Sequence, residues 1–123
     1  MTKITKETDP QSLPLHGVRV IEFCHVVMGP SCGLVLSELG ADVVKIEPLP
    51  VGDRTRQLKG HIAGSFVYFN RSKRSVGLDL KTAGGKAIAH KLLKTADVMI
   101  ENFGPCTAEK LNVGWEEVSK INP

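Results

Sequence analysis

Along this chain the spacing of apolar residues switches repeatedly between strand-like and helix-like periods, and each switch marks an element. Val18, Val20, Ile21 and Phe23 belong to a run rich in β-formers, so residues 18–23 are predicted as a strand. Gly29-Pro30 then marks a turn, with Pro30 at the first position of a helix, where its missing N–H costs nothing. Cys32, Val35, Leu36 and Leu39 recur at helical spacing and are expected to face the core, and Gly40 stands where a left-handed residue ends a helix. Residues 42–47 read as a second strand, and a short helical crossover pairs the two strands in parallel.

Two prolines, three glycines and several basic residues mark 48–64 as a long functional loop. A short helical turn is expected over 66–69. Val76, Leu78 and Leu80 alternate as in a half-buried strand over 75–80. Thr82 can cap the next helix, whose apolar stripe is Ile88, Leu92 and Ala96 while Lys86, His90 and Lys94 face water. Residues 97–101 form a further strand, and its unbroken apolar centre predicts burial on both faces. Asn102-Phe103-Gly104-Pro105 breaks it, and two short helices are expected near 107–111 and 115–120. Ile21, Val43, Leu78 and Ile100 are the expected core of four strands in one sheet. The order is that of an α/β fold, a Rossmann-like, doubly wound layer with a mainly parallel sheet. Residues 1–14, polar and without periodicity, read as a flexible lead-in, and residues 15–123 as one such segment, expected to be incomplete. In this architecture the loops at the carboxyl ends of the strands, 25–30, 47–59 and 102–106, should build the site, while residues 70–74 enter their strand from the other end.

Charge sharpens this picture. Residues 54–81 hold seven Lys or Arg against one acid, Asp79, so this segment carries +6 while the rest of the chain sums to −3. Such local positive charge suggests an anionic partner. No apolar run approaches the roughly 18 residues of a membrane span, and the polar N-terminus lacks a signal core. Three cysteines without C-x-x-C spacing fit a reducing compartment, so the protein is expected in the cytoplasm, and no metal is needed to explain the fold. G-x-G-x-x-G is missing from the first strand–helix turn, which argues against a nicotinamide or flavin site. Cys32 reads as a small apolar core residue rather than a reactive thiol. His25 could serve as an acid–base group at a strand end but has no visible partner, and Asp53 between Gly52 and Arg54 could equally fix a turn.

Taken together, several motifs form a recognisable series: Leu15-His16-Gly17-Val18-Arg19-Val20-Ile21, Met28-Gly29-Pro30, Leu39-Gly40-Ala41-Asp42-Val43-Val44-Lys45-Ile46-Glu47, Gly52-Asp53-Arg54-Thr55-Arg56, Asn70-Arg71-Ser72-Lys73-Arg74-Ser75, Leu78-Asp79-Leu80-Lys81 and Glu101-Asn102-Phe103. In this order they resemble the N-terminal part of the family III CoA-transferases, the formyl-CoA transferase, carnitine and bile-acid-inducible (CaiB/BaiF) group. The resemblance implies coenzyme A or an acyl-CoA thioester as substrate, a small carboxylate as acceptor, and an interlocked homodimer. By motif position it implies CoA contacts from Val26 and Val27, from Leu78, Asp79, Leu80 and Lys81, from Asn102, Phe103 and Gly104, and from Lys110, with Arg74 in the matched basic motif. It further implies an aspartate that displaces CoA through a mixed anhydride and an aspartyl-CoA thioester. That aspartate would lie beyond Pro123, so no residue of this chain is expected to be catalytic. Three positions depart from the pattern: Val27 stands where formyl-CoA transferase has glutamine, Leu58 where it has tryptophan, and Cys106 where glycine is usual, in a turn that wants positive φ.

Other readings stay open at this level. An α-methylacyl-CoA racemase would share the fold, although its connection before the Lys73-Arg74-Ser75 motif tends to be shorter. A non-catalytic CoA- or nucleotide-binding module would use the same basic loop without turnover. A nucleic-acid binder would stack bases on Phe66, Tyr68 and Phe69, but a net charge of +3 and few aromatics speak against it.

Overall fold

The computed structural model describes residues 10–123, in which β1 (Arg19–Phe23), β2 (Asp42–Pro48), β3 (Arg74–Leu78) and β4 (Val98–Glu101) form an all-parallel sheet in the order β3-β2-β1-β4. Helix α1 (Met28–Glu38) crosses from β1 to β2, α2 (Ser65–Asn70) precedes β3, and α3 (Ala83–Leu93) crosses from β3 to β4. Two short helices, α4 (Thr107–Lys110) and α5 (Trp115–Ile121), complete the described chain. This is the expected α/β layer, and its strand order reverses between β1 and β4, the switch point outside which ligands bind in such sheets. The lead-in expected over 1–14 lies outside the described residues as far as residue 9. Beyond it Pro10–Ser12 makes one 3-10 turn, and the Leu15 N–H donates to Leu39 O at 2.9 Å. Among the described residues no helix is long and apolar enough to cross a membrane.

Strand alternation sends successive side chains to opposite faces of the sheet. On one face Ile21, Phe23, Val44, Ile46 and Leu78 pack with Ala89 and Leu93 of α3 and with Ala108 and Val113. On the α1 face the amino halves of the strands are apolar, with Val20, Val43 and Ala41 packed beside Leu36. The carboxyl halves of that face are ionic: Glu22 and Lys45 lie opposite one another in the β1–β2 ladder, 0% and 1% exposed. The expected core strands therefore hold, with Ile21, Val43 and Leu78 buried and Ile100 half-buried on its edge strand.

Helix faces differ from the expected ones. The buried positions of α1 are Gly29, Pro30, Gly33 and Leu34, whereas Cys32, Val35 and Leu39 are exposed and Leu36 half-buried. Cys32 is thus not a core residue. Clearance, not hydrophobicity, sets this face. A Cβ on Gly33 would lie 1.9 Å from Glu22 Oε2, and one on Gly29 would lie 2.4 Å from Cys24 Sγ, so only glycine lets the helix sit this close to the ionic half of the sheet. The helix also starts at Met28, two residues before Pro30. In α3 the fully buried residues are Gly85, which passes Asp79 O so closely that a Cβ would approach it to 2.0 Å, with Ala89 and Leu93; of the expected stripe, Leu92 and Ala96 are half-buried against the same core and Ile88 is exposed. Thr82 caps this helix as expected, its Oγ1 accepting from Gly85 N at 3.0 Å. His90, expected to face water, is half-buried with Nε2 2.7 Å from Asn112 O. β4 is an edge strand with Val98 and Glu101 exposed, not one buried on both faces.

Glycine substitutions separate these effects. Gly33→Ala is expected to destabilise the protein by roughly 3 kcal/mol or more, since it displaces a buried ion pair. Gly84→Ala, with nothing within 4 Å of the new Cβ, should stabilise α3 by roughly 0.5–1 kcal/mol. Denaturant midpoints of the two variants check both, and equal effects would reject the clearance argument.

Candidate functional site

A cleft of about 570 Å³ opens at the carboxyl ends of the strands. Its lining comes in turn from the end of β1 (Phe23, Cys24, His25), from β2 and its loop (Ile46, Glu47, Leu49, Arg54), from the turn after β3 (Leu78, Asp79, Leu80, Lys81), and from the segment after β4 (Phe103, Gly104). The floor is mainly apolar. The Phe103 ring lies 6.5 Å from that of Phe23 and 6.3 Å from that of His25.

Most of the basic segment is neutralised inside the fold. Arg56 pairs with Glu47, Arg71 with Glu38, Lys73 with Glu22, and Arg74 with Asp42. Arg54, Lys59 and Lys81 have no ion pair among the described residues, and two of these three, Arg54 and Lys81, line the cleft. The positive charge legible in the sequence is therefore mostly internal pairing, and the part left for a ligand stands at the cleft. Among the described residues no group of three or more His, Cys, Asp or Glu is placed to hold a metal.

Two anchors hold the cleft walls. Asn102 Nδ2 donates to His25 O at 2.9 Å while its Oδ1 accepts from His25 N at 3.0 Å, so one side chain ties the ends of β1 and β4 together at the switch point. The next residue, Val26, has φ +68, a costly conformation for a β-branched residue that persists only where its surroundings enforce it. Glu47, 3% exposed, is the second anchor. Its carboxylate accepts from Arg56 Nε and Nη2 at 2.7 and 2.6 Å, from Ser75 Oγ at 2.6 Å and from Asp53 N at 2.8 Å. Phe66 stacks on the same guanidinium at 3.7 Å. Burial pushes the Glu47 pKa up, but these donors, led by Arg56 and Ser75, outweigh it and hold the carboxyl at about 2. Cys24 behaves oppositely: burial first, and then the charge of Glu22, push its thiol up to about 12, which makes it an inert neighbour of the cleft.

Of the sequence-predicted contacts, the structure brings Leu78, Asp79, Leu80, Lys81, Phe103 and Gly104 into the one cleft. Asn102 acts on the backbone beside it. Val26 and Val27, both exposed, follow the lining residue His25 in the chain but do not themselves line the cleft, and Lys110 sits on α4 next in sequence to the lining residue Leu111. Arg74 stands apart. It begins β3, at the amino end of the sheet, where Asp42 Oδ1 accepts from its Nε at 2.9 Å and Asp42 Oδ2 accepts from Arg19 Nε at 3.2 Å. Arg54 and His25 line the cleft without having been singled out as ligand contacts; both fall in loops expected to build the site, 25–30 and 47–59, but what sets Arg54 apart is that the neighbouring cations are paired. Cys106 has φ +60, the strained conformation its glycine-favouring position predicts.

A parallel sheet ordered β3-β2-β1-β4, with a cleft lined by Arg54, Lys81 and mainly apolar side chains at the carboxyl ends of its strands, defines a Rossmann-type α/β fold. Comparison with known proteins gives the family. The model of CoA-transferase family III matches residues 15–123, and the chain belongs to that family. It is 44% identical over 113 residues to a formyl-CoA:oxalate CoA-transferase of Rhodopseudomonas palustris, covering 89% of this chain and 27% of that one. An Escherichia coli protein of the same name is 43% identical over 116 residues, covering 91% and 28%. Among solved structures, the hypothetical protein Rv3272 of Mycobacterium tuberculosis superposes with a TM-score of 0.85 at 42% identity, over 91% of this chain and 31% of that one. A CAIB/BAIF family protein of Brucella suis superposes with 0.83 at 37%, over 90% and 31%. The chain thus spans less than a third of the length of these relatives.

Acid should loosen the Glu47 anchor in a defined window. Its folded pKa, about 2, lies below the ordinary 4.5, so its stabilising effect is complete above the unfolded value and is lost as pH falls through the folded one. Burial pushes the Asp53 pKa up, but hydrogen bonds from Thr55 and the charge of Lys45 outweigh it and shift it in the same direction as Glu47. The protein is expected to lose stability between about pH 5 and about pH 2, and Glu47→Gln to lose less over that interval. Urea midpoints across that range decide it, and identical losses would remove Glu47 from the account.

Proposed function

We propose that this chain forms the CoA-binding part of a transferase that moves CoA between an acyl-CoA thioester and a small carboxylate acceptor. The observation that carries this reading is the placement of Arg54 and Lys81, two cations without an ion pair among the described residues, in a mainly apolar cleft at the carboxyl ends of the strands. Phosphates suit such cations, and the uncharged remainder of a CoA thioester suits the floor beneath them. In this reading Leu78 to Lys81 and Asn102 to Gly104 contact CoA, as do Val26, Val27 and Lys110. The working form is an interlocked homodimer in the cytoplasm.

No nucleophile is assigned to the described residues. Asp42 is tied to Arg19 and Arg74, Asp53 is buried against Lys45, Asp97 accepts from Arg19 N, and Asp79 accepts from Lys81 N. In this reading the aspartate of the mixed-anhydride step is supplied from beyond Pro123, as the family resemblance implies.

Calorimetry tests the ligand. The protein expressed from its complete coding sequence should bind CoA in preference to NAD, since the dinucleotide fingerprint is missing. Equal or tighter NAD binding would overturn the reading. Lys81→Ala and Arg54→Ala should each weaken CoA by roughly 1–3 kcal/mol, whereas Arg74→Ala, at the other end of the sheet, should leave affinity unchanged.

A further inference from the structure

Against the cleft, which Asp53 also lines, lies a closed set of four buried charges that the binding reading leaves unused. Lys45 Nζ donates to Glu22 Oε1 at 3.1 Å and to Cys24 O at 2.6 Å, and faces Asp53 Oδ2 at 3.0 Å as an ion pair off the hydrogen-bonding axis. Lys73 Nζ donates to Glu22 Oε2 at 2.7 Å, to Pro30 O at 2.8 Å and to Asn70 Oδ1 at 3.2 Å. All four charged side chains are at most 1% exposed. Two cations balance two anions, yet the two ammonium groups grip different parts of the molecule. Lys73 holds α1 and the end of α2. Lys45 holds both walls of the cleft.

The second grip is specific. Cys24 O, which Lys45 holds, belongs to the peptide whose N–H, that of His25, donates to Asn102. Asp53, on the other wall, caps the turn that carries Arg54: its Oδ1 accepts from Thr55 N at 2.9 Å and from Thr55 Oγ1 at 2.7 Å. One ammonium therefore spans from the strand end bearing His25 to the loop bearing Arg54. We propose that Lys45 is a positioning residue that fixes these two walls relative to each other and, through Asp53, sets where Arg54 meets the ligand. This rests on the CoA reading for its ligand, but not for its mechanics.

The test uses the protein expressed from its complete coding sequence. Lys45→Met removes the bridge, and Asp53→Asn, which keeps an acceptor for Thr55, removes the ion pair if the first variant fails to fold. Lys73→Met is the comparison, a buried cation lost from the same cluster without touching either wall. Expected are CoA affinities about tenfold weaker for Lys45→Met and Asp53→Asn and within about twofold of the parent for Lys73→Met. Arg54→Ala should add less than about twofold in either weakened background, because a displaced Arg54 has little left to lose. Amide exchange of the ligand-free protein should quicken together over residues 24–28 and 53–57 in the first two variants only. Affinity that merely follows stability in all three variants, a full multiplicative effect of Arg54→Ala, or faster exchange in one segment alone would overturn the proposal. Should the parent protein not bind CoA, the functional reading falls, and the exchange data alone decide the positioning role.

Discussion

Glu22 and Lys45 face each other across the β1–β2 ladder with almost no exposure, and much of the architecture follows from keeping that pair satisfied. An unpaired charge at such a site would cost several kcal/mol. Lys73 therefore reaches back 51 residues to the second oxygen of Glu22, and Asp53 comes in from the loop after β2. Helix α1 approaches through Gly33, the position where a side chain would strike the carboxylate. Buried ion pairs are weak sources of net stability. What this one supplies is definition, since a strand register shifted by a single residue would turn Glu22 or Lys45 to the opposite face and separate the pair.

The two ends of the sheet use charge differently. At the amino end Asp42 takes Arg19 and Arg74 into a closed, surface-exposed group, and such exposed pairs contribute little to stability. Toward the carboxyl end, Glu47 and the Lys45 cluster absorb the cations that point inward, and Arg54 and Lys81 remain unmatched beside an apolar floor. The division follows from strand direction, because a parallel sheet collects all its outgoing loops at one end.

Strand identity, strand direction and the loops that build the cleft were legible because they depend on local pattern: β-rich runs, Gly and Pro punctuation, and short crossovers. The helix faces were not. Cys32, Val35 and Leu39 have the right spacing for a core stripe, yet they face outward, since α1 packs on a charged surface whose partners lie far off in sequence. The same distance hid the fate of the basic segment. Seven cations counted as one patch, but four are spoken for by Glu22, Glu38, Asp42 and Glu47, and three of those four pairs join residues 32 to 51 positions apart, which no local rule does. In the cleft, the contacts after β3 and β4 came from motif resemblance, whereas Arg54 could be picked out only once its neighbours' pairings were known.

Strand order has a consequence for how the chain is made. Among the described strands β1 is synthesised first, yet it lies between β2 and β4 in the sheet. β2 follows closely, while β4 begins only at Val98, so one edge of an apolar strand stays bare while about 75 more residues are added. At synthesis rates of about 5–20 residues per second that interval lasts roughly 4–15 s, long compared with the microseconds a hairpin needs to form. During it, Val20, Ile21 and Phe23 present an unpaired edge to any other extended segment nearby. For β1, the nascent chain on the ribosome, before β4 is in place, is the form most open to wrong pairing.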